Sequence, residues 1–256
     1  MRSGAAFFEI DRLSKRFGGL VALDEVSFSV REGEIYTIIG PNGAGKTTIF
    51  NLISLIYPAS SGTIRFCGED LLGRSPEQVA RLGIGRTFQN IELFAQASVL
   101  QNLLIGRHVH VPKNPLAEMF FTPAVRRREL ESRRAVEEVI DFLALQAYRD
   151  AVVAGLPYGV RKVVELARAL CTRPRLLLLD EPSSGLNVEE TEDMAYWIQD
   201  IRDELGITVL MVEHDMSLVS RVSDRVLAVN FGKVIAHGTP AEVQSHPDVV
   251  AAYLGH

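Results

Sequence analysis

The chain has 256 residues, 27 basic against 32 acidic side chains for a net charge of −5, and is 47% hydrophobic and 23% charged. A chain like this is ordered and buries an ample core, as one large α/β domain or as one domain with an inserted subdomain. Mild acidity argues against nucleic acid as a partner, and two cysteines, Cys67 and Cys171, are too few for a disulfide scaffold. Without metal-ligand spacing around them, both read as buried free thiols in a reducing compartment. The opening MRSGAAFFEIDRLSKRF lacks the apolar core of a signal peptide, and no apolar run approaches the ~20 residues that span a bilayer. The expectation is a cytosolic protein that would dock on another chain to serve a membrane process.

Residues 7 to 30 alternate apolar and polar positions twice, in FFEIDRL and VSFSV, around Gly18-Gly19. This predicts antiparallel strands beside the main domain. Phe17 closes the first strand and reads equally as a core residue or as a platform for a nucleobase. The stretch IYTIIGPNGAGKTTIFNLISLI (35–56) then predicts an apolar strand, a glycine-rich turn and a helix. Gly40 to Thr47 is a full match to the phosphate-binding loop G-x-x-x-x-G-K-[ST]. Glycines at 40, 43 and 45 let the backbone turn its N–H groups inward, where a β-carbon would clash. With the N-terminus of the following helix they make a positive cradle for phosphate oxygens. Lys46 reaches the β- and γ-phosphates and the Thr47 hydroxyl ligates Mg²⁺. Ile49, Leu52, Ile53 and Ile56 give that helix a buried face.

GTIRFCG (62–68) reads as a short strand, and SPEQVARLG as a helix with Ser75 at the N-cap and Pro76 at its first position. GIGRTFQN places Gln89 after a β-leaning segment. VLQNLLIG reads as a helix, HVHVPKNP as a loop, and Thr122-Pro123 as the start of a longer helix with Val136, Val139, Ile140 and Leu143 on one stripe. The arginines at 126 to 128, 133 and 134 alternate with Glu129 and Glu131, the pattern of a solvated face. His108 and His110 lack a third ligand, so no metal site is expected there. This block is a helical insertion.

A helix over Val160 to Cys171 leads into RLLLLDEP, the continuous apolar run of a strand buried on both faces, ended by Asp180, Glu181 and Pro182. ITVLMV (207–212) is a second such strand, ended by Glu213-His214-Asp215. Between them a helix from Glu189 to Leu205 carries Met194, Trp197, Ile198 and Ile201 on one face and Gly206 as its stop. A hairpin around Phe231-Gly232 and two short helices finish the chain. Strand–helix–strand alternation after a glycine-rich first turn predicts a mostly parallel sheet with helices on both faces. In that setting Asp180 is the Walker-B acid that holds Mg²⁺ through water, beside a strand carrying the phosphate loop. Glu181 is the general base or water orienter, and His214 bonds the γ-phosphate.

The set resembles the ATP-binding cassette (ABC) ATPases over essentially the whole chain. The resemblance implies a P-loop NTPase (RecA-like) core with a mostly parallel sheet, an antiparallel β subdomain and an α-helical insertion. The core and β subdomain take residues 1–90 and 161–256, and the helical subdomain 91–160. It implies ATP and Mg²⁺ as ligands, with Phe17 stacking adenine, Gly40, Asn42, Gly43, Gly45, Lys46, Thr47 and Thr48 as Walker A, and Gln89 as the Q-loop. Thr47, Gln89 and Asp180 are the implied metal ligands, and Glu181, His214 and Lys46 the catalytic groups. The family's signature loop falls on Leu156-Pro157-Tyr158-Gly159-Val160, which would meet the ATP held by a second ATPase chain in a head-to-tail dimer. The D-loop falls on Ser184-Gly185-Leu186-Asn187.

FGGLVALDEVSF, GIGRTFQN, LPYG in place of LSGG, EPSSGLN, MVEHDM and HPDVVAAYLG resemble the ATPases of branched-chain amino acid importers, LivG type. That branch implies transmembrane permease subunits as partners, a solute-binding protein acting indirectly, no nucleic acid, and a peripheral place on the cytoplasmic face of the inner membrane. The docking surface is expected near Gln89 and the insertion from Val99 onward. Alternatives are an importer of another small solute such as an amide or urea, and a lipid or lipopolysaccharide exporter, against which the LPYG loop and the C-terminal stretch speak. The chain departs from the family at Pro157 (usually serine), Val160 (glutamine) and Asn187 (aspartate). These departures imply a weakened trans half-site; the second ATPase subunit would make a hetero- or homodimer with this chain, and a heterodimer would have unequal sites.

Overall fold

The computed structural model describes residues 7–88, 91–110 and 123–254, so Gln89 and Thr122 lie outside the described residues. The chain divides into two compact units, Met1–Gln89 with Arg175–His256, and Asn90–Pro174.

The first unit holds two sheets. In the smaller, β1 (Phe8–Phe17) pairs antiparallel with β2 (Leu20–Val30) across the Gly18-Gly19 turn. On its other side β1 pairs with β4 (Ser61–Phe66), which continues to β5 (Glu69–Asp70). The larger sheet contains β3 (Ile35–Ile39), β6 (Ile84–Arg86), β7 (Leu176–Asp180), β8 (Thr208–Val212), β9 (Arg225–Asn230) and β10 (Lys233–Gly238), in the order β10-β9-β3-β8-β7-β6. All its pairings are parallel except the β9–β10 hairpin. Every residue of β3, β7 and β8 is buried, as their unbroken apolar runs require of strands covered on both faces.

Helix α1 (Lys46–Ile53) fills the space between the sheets. Its Ile49, Phe50, Leu52 and Ile53 share one core with Phe8, Ile10 and Leu13 of β1 and with Ile38, Leu178, Leu210 and Val212 of the larger sheet. On that sheet's opposite face Ile39, Val226 and Ala228 are covered by Val219, Val243 and Val249. These come from α7 (Met216–Val222), α8 (Pro240–Gln244) and α9 (Pro247–Leu254). Helix α2 (Pro76–Arg81) starts as expected, with Ser75 and Gln78 closing a capping box.

Three expectations fail for local reasons. Helix α1 stops at Ser54, and Leu55 turns left-handed (φ 55), so Ile56 leaves the core and is exposed; Phe50 takes the buried place instead. Cys67 is exposed, because Cys67-Gly68 form the β4–β5 turn with φ of 51 and 81. Cys171 is buried, and burial pushes its thiol up to about 12. Finally, β8 lies between β3 and β7, so the strand ending in Asp180 is one removed from the strand that carries the phosphate loop.

In the second unit α3 (Val99–Gly106), α4 (Pro123–Phe142) and α5 (Tyr158–Leu170) pack together. Gly106 permits close approach of α3 and α5, since a β-carbon there would lie 2.5 Å from the Arg168 carbonyl oxygen. Fully buried Asn102 accepts from the Phe94 N–H and donates to the Phe94 and Ser98 carbonyls, stitching the preceding loop to α3. Helix α4 buries Ala135, Val136 and Ile140 and turns the Arg133–Glu129 pair (3.0 Å) to solvent. Helix α5 runs unbroken through residues 160 and 161, and the unit that holds it ends at Pro174.

Helix α6 (Val188–Asp203) begins at Asn187, whose side chain accepts from the Glu190 N–H while Glu190 reaches back to the Asn187 N–H. Asn187→Ala is therefore expected to lower the unfolding free energy by about 1 kcal/mol, and Asn187→Asp to change it by only a few tenths, as read from denaturant unfolding.

Candidate functional site

Parallel strands deliver their carboxyl ends to one edge of a sheet, where the chain leaves the core and polar groups can gather. Here β3 opens into the phosphate loop, β7 into Asp180-Glu181, β8 into Glu213-His214, β6 into Thr87, and β9 into Phe231-Gly232. The three loop glycines serve different ends. At Gly40 a β-carbon would lie 2.2 Å from the Val229 carbonyl oxygen, and at Gly45 2.8 Å from that of Ala22. Gly43 meets nothing and is required only by its φ of 78. The loop is thus moulded against its own neighbouring strands. A cleft of about 410 Å³ opens above it, lined by Asn42 to Thr48, by Phe17, Leu20, Val21 and Ala22, and by Glu181 and Phe231.

Phe17 is 41% exposed at the cleft, held edge-on by Tyr57 at 5.4 Å between ring centroids, with Lys15 Nζ 4.8 Å from its own centroid. Asn42 and Thr47 are exposed and Thr48 half-buried. Lys46, the first residue of α1, is buried and folds back, donating to the Gly40 (2.6 Å) and Pro41 (3.1 Å) carbonyls. Burial lowers its pKa, against the opposing pull of Glu181, Asp180 and Glu213.

Asp180 is buried at the end of β7 and its Oδ2 accepts from Arg86 Nη2 at 3.0 Å. The Arg86 side chain is only 8% exposed; it also donates to Ser54 Oγ and lies between the rings of Phe50 (5.6 Å) and Phe88 (5.0 Å). Burial lowers its pKa and the Asp180 carboxylate works the other way. Thr87 Oγ1 accepts the Asp180 N–H at 3.3 Å. Next along, Glu181 takes a left-handed φ of 50, a conformation that costs a non-glycine residue about 1–3 kcal/mol, and its N–H is anchored on the Val212 carbonyl (2.9 Å). This turn brings the Glu181 carboxylate within 3.8 Å of His214 Nδ1, although 33 positions separate them in sequence.

The signature stretch lies in the second unit. Leu156 is half-buried, Pro157 and Tyr158 are exposed and Gly159 is buried. Pro157 is the N-cap of α5 and offers no side-chain acceptor to its first turn. Gln89 lies outside the described residues.

Arg86, Thr87 and Phe231 were not singled out by the sequence. The signal for Arg86 is faint: one cation in an otherwise apolar strand, in a register that only the β6–β7 pairing fixes. Phe231 carried a clearer one. A two-residue hairpin turn favours Asn and Gly because both central residues take φ > 0, and a phenylalanine with φ 45 there is out of place.

A phosphate loop opening a helix, with a buried acid and a second acid side by side at the end of another strand of the same parallel sheet, defines a P-loop ATPase. The chain matches the ABC transporter family over residues 23–184 and the branched-chain amino acid ATP-binding cassette transporter family over residues 233–256. It is 42% identical over 247 residues to the high-affinity branched-chain amino acid transport ATP-binding protein BraF of Pseudomonas aeruginosa, spanning 96% of this chain and 97% of that one. It is 38% identical to LivG of Escherichia coli over 96% of both chains. Among solved structures, an ATP-binding cassette of an ABC transporter in its ADP conformation superposes with a TM-score of 0.86 at 32% identity, covering 99% of this chain and 100% of that one. A nucleotide-free cassette gives the same TM-score and identity. The chain belongs to the ABC transporter family as an ATPase subunit, in the branch of the LivG and BraF ATP-binding proteins.

Removing Arg86 would take away a buried cation 3.0 Å from the Asp180 carboxylate. Arg86→Ala is expected to cost about 3 kcal/mol or more in stability, and Arg86→Lys less, measured by chemical denaturation.

Proposed function

We propose that this chain hydrolyses ATP to drive a membrane importer of branched-chain amino acids. The observation that carries the catalytic part is that Glu181 lines the cleft together with the phosphate loop, with His214 Nδ1 3.8 Å from its carboxylate. Adenine stacks on Phe17, and the triphosphate lies along the loop N–H groups and the first turn of α1. Lys46 exchanges the Gly40 and Pro41 carbonyls for β- and γ-phosphate oxygens, whose negative charge opposes the burial that now lowers its pKa. Glu181 orients a water in line with the γ-phosphorus and takes its proton as the water–phosphorus bond forms and the bond to the β-γ bridging oxygen breaks. His214, 3.8 Å from the Glu181 carboxylate, donates to the γ-phosphate.

The Thr47 hydroxyl and the Asp180 carboxylate are hard oxygen donors suited to Mg²⁺. Among the described residues no cluster of three or more His, Cys, Asp or Glu offers a complete protein cage, which accords with an ion that takes one or two protein ligands and completes its shell elsewhere. When bound, the ion neutralises charge on the β- and γ-phosphates. Gln89 belongs to this reading through its family position.

The head-to-tail partner is a second ATPase subunit that presents its own signature loop. Pro157 and Asn187 remove a hydroxyl and a charge from this chain's contribution to that partner, which favours a heterodimer of unequal sites. Among the described residues no helix is long and apolar enough to cross a membrane. The reading places the chain peripherally, on the cytoplasmic face, beneath permease subunits fed by a solute-binding protein, and rests on the transport role printed for BraF and LivG. Transport of branched-chain amino acids is supported by the printed function of BraF and LivG and by the match at residues 233–256.

Glu181→Gln is expected to leave ATP affinity nearly unchanged while hydrolysis falls roughly a hundredfold or more, whereas Lys46→Ala weakens binding itself. Normal turnover in the glutamine variant would sink the assignment of the base. For the solute, cells lacking this chain should lose uptake of labelled leucine, isoleucine or valine and regain it on complementation. Unchanged uptake of all three, in a strain without a redundant importer, would leave only an ABC ATPase of another solute.

A further inference from the structure

Glu213 is fully buried at the end of β8, beside His214, and the reaction as described gives it no task. Its two oxygens are divided between two loops. Oε1 accepts from Ser183 N (2.9 Å) and Ser183 Oγ (2.6 Å), on the turn that follows β7. Oε2 accepts from the backbone N–H groups of His214 (2.7 Å) and Asp215 (3.0 Å), on the turn that follows β8. Ser183 stands two residues beyond Glu181, and the same turn closes through Ser184 N to the Glu181 carbonyl (3.2 Å) and Leu186 N to the Ser183 carbonyl (3.0 Å). Asp215 in turn caps α7.

An ionised carboxylate has lone pairs for four donors, and bonds to it are the strong ones. An apolar side chain of similar size would leave three backbone N–H groups and a hydroxyl to find other partners in a closed space. Filling the core does not call for that chemistry. Joining two loops does.

We propose that Glu213 is a positioning residue for hydrolysis, a clamp that ties the Glu181 turn to the His214 turn so that the two side chains face the γ-phosphate as one rigid pair. The proposal rests on the reading of Glu181 and His214 as the groups around the attacking water. It adds a route: displacement of the Ser183 to Asn187 stretch, which leads into α6, reaches His214 through Glu213 without involving the Glu181 side chain.

The test is Glu213→Gln, which keeps size and shape. An amide has one acceptor oxygen, so its NH₂ must face the donors of one of the two loops. In the full chain assembled with its transporter partners, kcat for ATP should fall at least tenfold, while ATP Kd stays within about twofold and Tm within a few degrees. Ser183→Ala, which removes one of the two bonds on one side, should lower kcat by about two- to fivefold with the same unchanged Kd. Joining Glu213→Gln to Glu181→Gln should lower turnover no further than Glu181→Gln does alone. Unchanged kcat in a folded Glu213→Gln variant overturns the proposal. So does a parallel loss of Tm, ATP binding and turnover, the mark of a purely structural role. Should Glu213→Gln fail to fold, the Ser183→Ala result decides by the same split. Normal turnover in Glu181→Gln would instead overturn the water-orienting reading, a separate outcome.

Discussion

Three ionisable side chains, Lys46, Asp180 and Glu213, are buried at the carboxyl edge of one sheet, and the geometry of the site follows from how each is matched. A buried charge costs several kcal/mol unless close polar partners replace the lost water. Lys46 has two loop carbonyls, Asp180 has Arg86, and Glu213 has four donors. Arg86 of β6 reaches Asp180 of β7, and Glu213 at the end of β8 takes two of its four donors from the turn after β7. These two matches fix the ends of β6, β7 and β8 relative to one another, while the Lys46 bonds close the phosphate loop on itself. The apolar runs of β3, β7 and β8 hold the strands; the buried charges hold the loops.

This division explains what could be read in advance. The parallel sheet, α1 and the phosphate loop follow from apolar runs and glycine spacing, which are local properties of the sequence. Glu181 and His214 were legible as strand-end residues, but their approach to 3.8 Å depends on β7 and β8 being neighbours. Arg86 was not legible, because its pairing with Asp180 needs a register set across 94 positions. Ile56 and Cys67 were misplaced by left-handed turns at Leu55 and Cys67, where a non-glycine residue takes a conformation that sequence preference argues against.

The departures at the signature and D-loop stretches have physical content. Pro157 starts α5 without a side-chain cap and brings neither a hydroxyl nor an N–H of its own to that helix start. Asn187 gives up the family's charge but keeps an N-cap as good as aspartate, so α6 is preserved. The change therefore spares the fold; under the proposed reading it falls on the contact with a second ATPase chain.

The most direct test of the central claim is a crystal structure of the Glu181→Gln variant with MgATP. The account predicts the triphosphate along Gly40 to Thr48, Lys46 Nζ moved from the Gly40 and Pro41 carbonyls onto phosphate oxygens, and residue 181 and His214 together facing the γ-phosphate. A nucleotide bound elsewhere, or a Lys46 still folded onto those two carbonyls beside bound ATP, would contradict it.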